Sequence, residues 1–483
     1  MKKDIKSRCA IIYISLFLII CLFPLVLMSA FGNQPVESSE SEVAVPVFRN
    51  GEGRANFNIL KDYGDYFSKK FAFRRQLVAL NSLIYASLFN TSVQDGVYIG
   101  KKGYMFYKDS IDSFMSSRPM EDYAVEAAAY NLAVIQKFAE KRGRKFIFTI
   151  APNKNSLYPQ FMPNRFKAPH IKRDAERLES ALKKRKVNYC NLFHIFGKHK
   201  SVYYHKTDSH WNNFGAAMAQ HALLKVLDKK HRNFTSLPYS VRKDFTGDLY
   251  AMLYPDLKGK EKEIYFKHRF KFKYKDGVKD VTQPVIYTEN PAGKEKAGVI
   301  RDSFGNALLP FLAEEYSKVY FTKTTPYDVQ GAIEEGKNHV IFQLVERNLD
   351  TLTEDAPELF TEVNMKSKTM VKKNYKGSFK AEDSGLTEGI KMWGDLDPDG
   401  VRRNSDIYLI MKPEGGGKEI RLQAFKTVNR RKDKSIKSYG YALYADPKAF
   451  KAGEYNVYMA YEYEGEISLS DTLGKYKPQL KEF

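Results

Sequence analysis

The chain has 483 residues, of which 43 % are hydrophobic, and its 78 Lys and Arg against 57 Asp and Glu give a formal net charge of +21. This apolar content supplies a sizeable core and excludes a wholly disordered chain. The positive charge favours anionic partners such as acidic polysaccharides or anionic lipid head groups. A nucleic-acid partner is not expected, because neither zinc-ligand spacing nor an RNA-binding aromatic signature accompanies the scattered basic residues.

The N-terminus combines basic residues with a long apolar run. Four Lys and Arg within the first eight residues precede the run at 9–31, and about 20 apolar residues suffice to span a bilayer as a helix. The positive-inside rule keeps these basic residues in the cytoplasm. We therefore expect an uncleaved single-pass anchor at 1–32 in a bacterial cell membrane, with the remainder extracytoplasmic. A cleaved signal peptide is the alternative, since Ser29 and Ala30 are small enough for a peptidase site.

The middle of the chain alternates between helical and strand patterns. After a polar, proline-punctuated linker at 33–55 come helical spacing at 57–90 and a hairpin pattern at 95–107. Further helices are predicted at 120–141, 171–184, 213–227 and 306–316, and strands at 145–150, 187–190, 299–300, 318–321 and 338–345. This alternation predicts an α/β layered domain with a mostly parallel sheet over residues 56–365.

The pattern changes after about residue 365. Segments at 405–411, 419–424, 438–444 and 454–463 alternate at strand spacing, and Gly, Pro and Asp separate them. They predict a small β-sandwich-like C-terminal domain at 366–483. A role for this domain as a carbohydrate-binding module and a purely packing role both stay open.

Two short motifs in the α/β region carry candidate chemistry, and the first is KTDSHWNN at residues 206–213. A carboxylate two residues before a histidine can accept a hydrogen bond from one ring nitrogen, which fixes the tautomer and raises the basicity of the ring. Asp208 and His210 are therefore a candidate orienting group and base. The alternative is a helix N-cap beside an exposed histidine.

The second motif is VIRDSFGN at residues 299–306, which leads from an apolar strand into a helix. A serine at such a turn lies where backbone N–H groups and a helix N-terminus can stabilise an oxyanion. Its hydroxyl becomes a good nucleophile once a base removes the proton. Ser303 is thus the candidate nucleophile, and the backbone of Phe304 is a candidate oxyanion donor. The alternative is that Ser303 or Asp302 caps the helix.

Together the two motifs resemble the SGNH-hydrolase-like domain of the alginate acetylation proteins, which are bacterial polysaccharide O-acetyltransferases. In that family T-D-x-H-W-N precedes G-D-S-F, and the matching residues here are Thr207, Asp208, His210, Trp211, Asn212, Asp302, Ser303 and Phe304. Arg301 replaces the glycine of the family pattern, which leaves the tightness of this turn open. Weaker similarities extend the resemblance over about residues 57–350.

The resemblance implies that Asp208, His210 and Ser303 form the triad of an extracytoplasmic O-acetyltransferase. Its acceptor would be a cell-surface or secreted polysaccharide, and the reaction would pass through an acyl-enzyme. The positive net charge of the chain favours an acidic polysaccharide. A membrane-bound O-acyltransferase is the implied partner, and we expect neither a cofactor nor a metal. A polysaccharide O-acetyl esterase and a non-catalytic binding or assembly subunit are the alternative functions.

Three further residues are candidates for substrate or oxyanion contacts, each with a structural alternative. Lys154 follows a predicted strand and lies on the ligand side of an open α/β sheet, or it is a surface lysine. Arg347 binds substrate or pairs with Glu346 or another carboxylate. Trp211 faces a sugar, or it is a packing anchor beside the histidine.

Overall fold

The structure is a computed structural model. It describes residues 2–31, 45–49, 53–168, 170–198, 201–275, 277–278, 280–363, 370–383, 389–401, 404–430 and 436–479. These residues fall into two compact units, one within Met1–Tyr98 and Tyr250–Gly259 and the other within Ile99–Leu249 and Lys260–Phe483. The domain boundaries expected near residues 32, 55 and 365 stay predictions. Residues 33–44 and 50–52 of the expected linker lie outside the described part.

The elements follow the predicted order closely. The helices are α1 Lys2–Phe31, α2 Ile59–Lys70, α3 Arg74–Phe89, α4 Lys108–Met115, α5 Asp122–Lys141, α6 Lys154–Leu157, α7 Asp174–Lys184, α8 Leu192–Gly197, α9 Asn213–Val226, α10 Asp248–Leu253, α11 Gly305–Ala313 and α12 Val329–Glu335. Short 3-10 helices lie at Lys101–Gly103, Pro159–Phe161, Phe234–Ser236, Glu346–Thr353 and Pro447–Ala449.

The strands are β1 Val97–Ile99, β2 Met105–Tyr107, β3 Lys145–Ala151, β4 Tyr189–Cys190, β5 Tyr239–Phe245, β6 Glu261–Phe266, β7 Lys273–Tyr274, β8 Val285–Glu289, β9 Lys296–Ile300, β10 Lys318–Thr322, β11 His339–Val345, β12 Met370–Lys372, β13 Lys380–Asp383, β14 Ile390–Asp395, β15 Asp406–Pro413, β16 Ile420–Gln423, β17 Phe425–Arg430, β18 Ile436–Ala445, β19 Tyr455–Tyr463, β20 Glu466–Leu469 and β21 Gly474–Tyr476.

The N-terminal helix α1 contains the apolar run of the expected anchor. Its described side chains, at residues 8–23 and 26, are exposed to solvent. Across the described residues, no helix meets both the length and the apolarity required for a bilayer span.

The larger unit is built on a seven-stranded sheet with the strand order β4-β3-β11-β9-β10-β8-β7. The first five strands are parallel, and β8 and β7 add an antiparallel edge. Because helices and further strands cover both faces, β11 is buried along its whole length and β3 is buried after its first residue, with no alternation between buried and exposed positions. Phe146 and Phe148 of β3 belong to the core that contains α5, α7 and α12, and Ile147 belongs to the core that contains α9 and α11. The α/β prediction with a mostly parallel sheet is confirmed.

The C-terminal strands form two mainly antiparallel sheets, as the alternating pattern predicted. One has the order β12-β20-β19-β15-β16 with β21 beside β19, and the other has the order β13-β14-β18-β17. Both share a hydrophobic core with α5. The buried Tyr130 hydroxyl donates to the Ala424 carbonyl at 3.0 Å and accepts the Ile407 N–H at 3.2 Å. Asn131 bonds the Lys426 carbonyl and N–H, both at 2.9 Å, so α5 satisfies the backbone polar groups of these strands.

Candidate functional site

The candidate residues meet at the carboxyl ends of the parallel strands, which is where open α/β sheets bind ligands. Ser303 follows β9, Lys154 follows β3, and Arg347 follows β11. Asp208 and His210 lie on the loop before α9. The cap of α9 is Asn212, whose Oδ1 accepts the Gly215 N–H at 2.9 Å. The N-cap alternative for Asp208 therefore does not apply.

Ser303, His210 and Asp208 form a continuous hydrogen-bonded series. The Ser303 Oγ lies 2.8 Å from Nε2 of His210, and Nδ1 of the same ring lies 2.8 Å from Oδ1 of Asp208. That carboxylate oxygen also accepts the backbone N–H of His210 at 2.7 Å. The imidazole is 25 % exposed, whereas the Asp208 side chain is 8 % exposed. The geometry matches that of a serine with its base and the orienting carboxylate of that base.

A second carboxylate, Asp248, joins this series from the start of α10. Its Oδ2 lies 3.3 Å from Nδ1 of His210, and its backbone N–H donates to Oδ2 of Asp208 at 2.8 Å. Burial alone lowers the pKa of His210, but the hydrogen bonds and charges of the two carboxylates outweigh it and raise that pKa to about 9. For Asp248 burial acts in the opposite direction and raises the pKa. The hydrogen bonds and charge of His210, together with the Ser209 hydrogen bonds, outweigh burial and bring this pKa well below its usual value.

Ligand atoms of Asp208, His210 and Asp248 lie within 4.8 Å of one another, a spacing that a metal ion could use. The carboxylate oxygens already accept hydrogen bonds, however. Asp208 accepts from the N–H groups of His210 and Asp248. Asp248 accepts from the N–H groups of Ser209 and Leu249 and from the Ser209 hydroxyl. This donor pattern suits an imidazole held between two carboxylates, so we assign no metal role to the cluster.

The nucleophile turn is held by Asp302 and does not use Ser303 as a cap. Asp302 Oδ1 accepts the Phe304 N–H at 2.9 Å and the Gln343 amide at 3.0 Å, and Oδ2 accepts the Val345 N–H at 2.5 Å. The carboxylate therefore ties the turn after β9 to the end of β11. Since Asp302 does this, the Ser303 hydroxyl stays available to His210.

Arg301, which replaces the family glycine, does not open this turn. Its side chain is buried and donates to the carbonyls of Val281 and Gln283 at 2.9 and 3.2 Å. Burial lowers the pKa of Arg301 to about 10. A Cβ on Gly305 would lie 2.6 Å from the Arg301 Cβ, so the glycine after Phe304 leaves the space that the arginine occupies.

The Phe304 N–H, a predicted oxyanion donor, is engaged by Asp302. The phenyl ring is fully buried, 4.8 Å from the His210 ring centroid. Within the described ranges, no acceptor engages the Ser303 N–H. Among the backbone groups of this turn, the Ser303 N–H is therefore the better candidate donor to an oxyanion.

Lys154 is not a surface lysine, because its side chain is only 3 % exposed. Its Nζ donates to the carbonyls of His205, Lys206 and Asp208 at 3.1, 2.8 and 2.6 Å. Burial lowers its pKa to about 8, although nearby carboxylates oppose the shift. All three hydrogen bonds of the ammonium group go to the loop that carries Asp208, so Lys154 holds that loop in place.

Arg347 does not pair with its neighbour. The buried Glu346 instead bonds Arg173 and accepts the Asn153 N–H, both at 2.9 Å. The Arg347 guanidinium lies 5.3 Å from the ring centroids of both Tyr107 and Phe304, and its Nη1 is 3.5 Å from Oδ1 of Asn153. This cation is therefore placed beside the nucleophile turn, as a substrate contact requires.

Trp211 is a packing anchor. It is 2 % exposed, its Nε1–H donates to the Phe304 carbonyl at 3.0 Å, and its ring meets that of Phe304 edge to face. The indole thus links the loop of His210 to the turn of Ser303. Its burial leaves no face open to a sugar.

The site also contains groups that sequence reasoning did not assign to it. Asp248 lies in neither of the two motifs, and its place against His210 has no local signal in the sequence. A Cβ on Gly247 would overlap the carbonyl of Thr207, and this close approach brings Asp248 to the loop. His205, three residues before Asp208, bonds Glu263 of β6 at 2.9 Å and fixes the other end of the loop.

One family model matches part of the chain. Residues 97–259 match the family model described as SGNH hydrolase-like domain, acetyltransferase AlgX. The match covers about a third of the chain and contains Asp208, His210 and Asp248, but it ends before Ser303. It confirms the resemblance seen in the two motifs and supports an O-acetyltransferase-like SGNH domain in this part of the chain. No curated protein matches the chain.

Several solved structures are similar at low identity. Bacillus cereus PatB1 with a sulfonyl adduct is 18 % identical with a TM-score of 0.42, over 54 % of this chain and 99 % of that one. The O-acetyltransferase domain of Pseudomonas putida AlgJ is 16 % identical with a TM-score of 0.38, over 53 % and 92 %. Pseudomonas aeruginosa AlgX is 9 % identical with a TM-score of 0.32, over 72 % and 85 %. Similarities of this size carry no argument about function.

Proposed function

We propose that this protein is an extracytoplasmic O-acetyltransferase that modifies a cell-surface or secreted polysaccharide through an acyl-enzyme on Ser303. The observation that carries the proposal is the series Ser303–His210–Asp208, with 2.8 Å at each of its two links, at the carboxyl ends of the parallel strands. The match of residues 97–259 to an acetyltransferase family model supports the choice of acyl group.

In the first half of the reaction, Ser303 Oγ bonds to the carbonyl carbon of an acetyl ester while His210 Nε2 takes the hydroxyl proton. Asp208 holds the Nδ1–H and stabilises the imidazolium that forms. The Ser303 N–H donates to the oxyanion, an interaction worth about 3 kcal/mol per donor in other enzymes. The tetrahedral intermediate then expels the donor alcohol, which leaves with the proton from His210, and the acetyl group remains on Ser303.

In the second half, a polysaccharide hydroxyl attacks the acetyl-serine. His210 takes the proton of that hydroxyl and returns it to Ser303 Oγ as the ester bond to Ser303 breaks. The acceptor keeps the acetyl group, and the free serine is regenerated. Water in place of the sugar hydroxyl gives the esterase reaction with the same residues, so exclusion of water from this step separates the two activities.

The charge and the organisation of the chain support the proposed acceptor and location. Arg347 beside the nucleophile turn and the net charge of +21 suit an acidic polysaccharide. The basic residues and apolar run at the N-terminus favour a membrane anchor with the site outside the cytoplasm. The resemblance to the alginate acetylation proteins supports a further proposal, that a membrane-bound O-acyltransferase is the partner that delivers acetyl groups. Fusion of a periplasm-dependent reporter to the C-terminus tests the orientation, since a cytoplasmic site leaves the reporter silent.

The full-length protein, its Ser303→Ala and His210→Ala variants and a chromogenic acetyl ester test the chemistry. We expect acetate release by the wild type and its loss in both variants. Ser236→Ala and His194→Ala are matched controls, because both residues lie on the surface outside the site and should leave release unchanged. Acid quenching followed by mass spectrometry should find the acetyl group on the peptide that contains Ser303.

An acidic oligosaccharide acceptor then distinguishes the alternatives. Acetylated oligosaccharide supports the transferase, whereas free acetate alone, in the presence of the acceptor, favours an esterase. A folded wild-type protein that forms no acetyl-serine and releases no acetate, yet binds the oligosaccharide, would identify a non-catalytic binding or assembly subunit.

A further inference from the structure

His210 contacts two carboxylates through a single ring nitrogen. Asp208 Oδ1 lies 2.8 Å and Asp248 Oδ2 lies 3.3 Å from Nδ1, on residues separated by 40 positions in the chain. A serine triad needs only one such carboxylate to orient the imidazole. The second carboxylate therefore calls for a separate physical explanation.

Asp248 is fixed in place by a dense set of short contacts. Its Oδ1 accepts the N–H groups of Ser209 and Leu249, both at 2.7 Å, and its Oδ2 accepts the Ser209 hydroxyl at 2.5 Å. Its own backbone N–H donates to Oδ2 of Asp208 at 2.8 Å. These hydrogen bonds fix the carboxylate against the loop of His210, although 38 % of the side chain is exposed.

The charges around the imidazole show what a second carboxylate does. Lys154 from α6 interacts with Asp208, Asp248 and Glu261 of β6, while Tyr107 of β2 interacts with Asp248 and Arg347. Asp208 and Asp248 are the two carboxylates that contact the imidazole itself. With one of them removed, a protonated imidazole would keep a single contacting carboxylate, and its positive charge would be less stabilised.

We propose that Asp248 is a positioning residue that shares the Nδ1–H of His210 with Asp208 and sets the pH range in which His210 acts as a base. Its effect on turnover rests on the function proposed above, but its effect on the titration of the ring does not. Both carboxylates favour the imidazolium, so removal of the Asp248 charge should allow the ring to lose its proton at lower pH.

The titration of His210 in the full-length protein, followed by NMR of labelled histidine rings, tests this inference directly. The signal is assigned by its disappearance in His210→Ala. In Asp248→Asn the midpoint should fall by about one unit or more, since an opposite charge at this range shifts a pKa by that amount. Asp244→Asn is the matched control, because Asp244 pairs with Arg242 on β5 and should leave the midpoint unchanged.

A second variant guards against misfolding of Asp248→Asn. Ser209→Ala removes a hydroxyl that donates to Asp248 Oδ2 and lies 3.2 Å from Nδ1 of His210. The carboxylate oxygen is then left to His210, and because a charged acceptor is a stronger partner for the imidazolium than a hydroxyl oxygen, the midpoint should rise. The acidic limb of kcat/KM should move with the ring in both variants, downward in Asp248→Asn and upward in Ser209→Ala. A loss of activity with no movement of either the ring midpoint or the limb overturns the inference.

The two proposals fail separately in this design. A wild-type protein without acetyl transfer or hydrolysis defeats the proposed function, while the NMR midpoints still decide the place of Asp248. If acetyl transfer or hydrolysis is detected, but the His210 midpoint falls only in Asp208→Asn and not in Asp248→Asn, the inference about Asp248 is wrong. The proposed function then stands.

Discussion

Replacement of Lys154 by Met removes a buried ammonium group that donates to three carbonyls of the loop carrying Asp208. Two opposing terms decide the stability of this variant. The pKa of Lys154 is lowered by burial from 10.5 to about 8, which corresponds to a penalty of about 3 kcal/mol for the charged group at neutral pH. Met is similar in length and carries no such penalty.

The opposing term is the loss of donors to the loop. The Lys206 carbonyl retains the Met105 N–H at 2.8 Å, whereas the carbonyls of His205 and Asp208 lose the ammonium. A buried carbonyl that loses its donor destabilises by about 2 kcal/mol, so two of them cost about 4 kcal/mol. We therefore expect Lys154→Met to lower the free energy of unfolding by only about 1 kcal/mol at pH 7.

The pH dependence has a definite sign. Between pH 8 and 10.5 the unfolded chain retains a proton on Lys154 that the folded protein has lost, so this residue makes the wild type more stable as pH rises. The difference between wild type and Lys154→Met should therefore widen to about 4 kcal/mol near pH 10.5. Urea unfolding of both proteins across this range measures it, and Lys262→Met, an exposed position on β6, is the control.

Activity should respond more strongly than stability. Without its support the loop of Asp208 and His210 can shift, and a displacement of about 1 Å can reduce turnover by about 100-fold. Acetate release by Lys154→Met should fall at least 10-fold while Lys262→Met matches the wild type. Parallel stability profiles for wild type and Lys154→Met between pH 7 and 10.5 would refute the argument, because Lys154 would then not titrate differently in the folded protein.

Three further outcomes are expected from the same structure. Acetate release, as kcat/KM, should rise with pH to a midpoint near 9 as His210 becomes neutral, and a flat profile from pH 6 to 9 would contradict its role as base. Trp211→Phe should lower the melting temperature, because the bond to the Phe304 carbonyl is worth about 1 kcal/mol, and should slow release; unchanged values of both would remove its linking role. Tyr130→Phe should destabilise by about 1–3 kcal/mol in urea unfolding without changing kcat, whereas an altered kcat would connect the β-rich strands to the site.

The parts of the site that sequence reasoning found are those whose chemistry is local in the chain. Asp208 and His210 lie two residues apart, and Ser303 follows an apolar strand, so both motifs could be recognised in the sequence. The order of strands and helices then predicted that the two motifs lie at the same edge of the sheet. The antiparallel edge of β7 and β8 was not predicted, because these short strands carry weak patterns. The space for Arg301 depends on Gly305, a signal that is visible in the sequence only after the packing is known.

The contacts that were missed join distant residues. Asp248 reaches His210 across 38 positions, and Glu346 bonds Arg173 instead of the adjacent arginine. Lysine is rarely buried, and the residues next to Lys154 in the sequence give no sign that this one is. Its burial could therefore not be predicted from the sequence. Long-range pairing of charged groups depends on the assembled fold, and composition or spacing does not encode it.

The bonds from α5 to the C-terminal strands bear on how this protein can have evolved. Tyr130 and Asn131 are buried on a helix of the parallel-sheet layer, yet their polar atoms satisfy the backbone at Ala424, Ile407 and Lys426. A deletion or exchange of the C-terminal strands would leave these polar groups without hydrogen-bond partners and expose the apolar face of the helix to solvent. The β-rich part is therefore a poor candidate for recombination as an independent cassette, and we expect α5 and these strands to be inherited together.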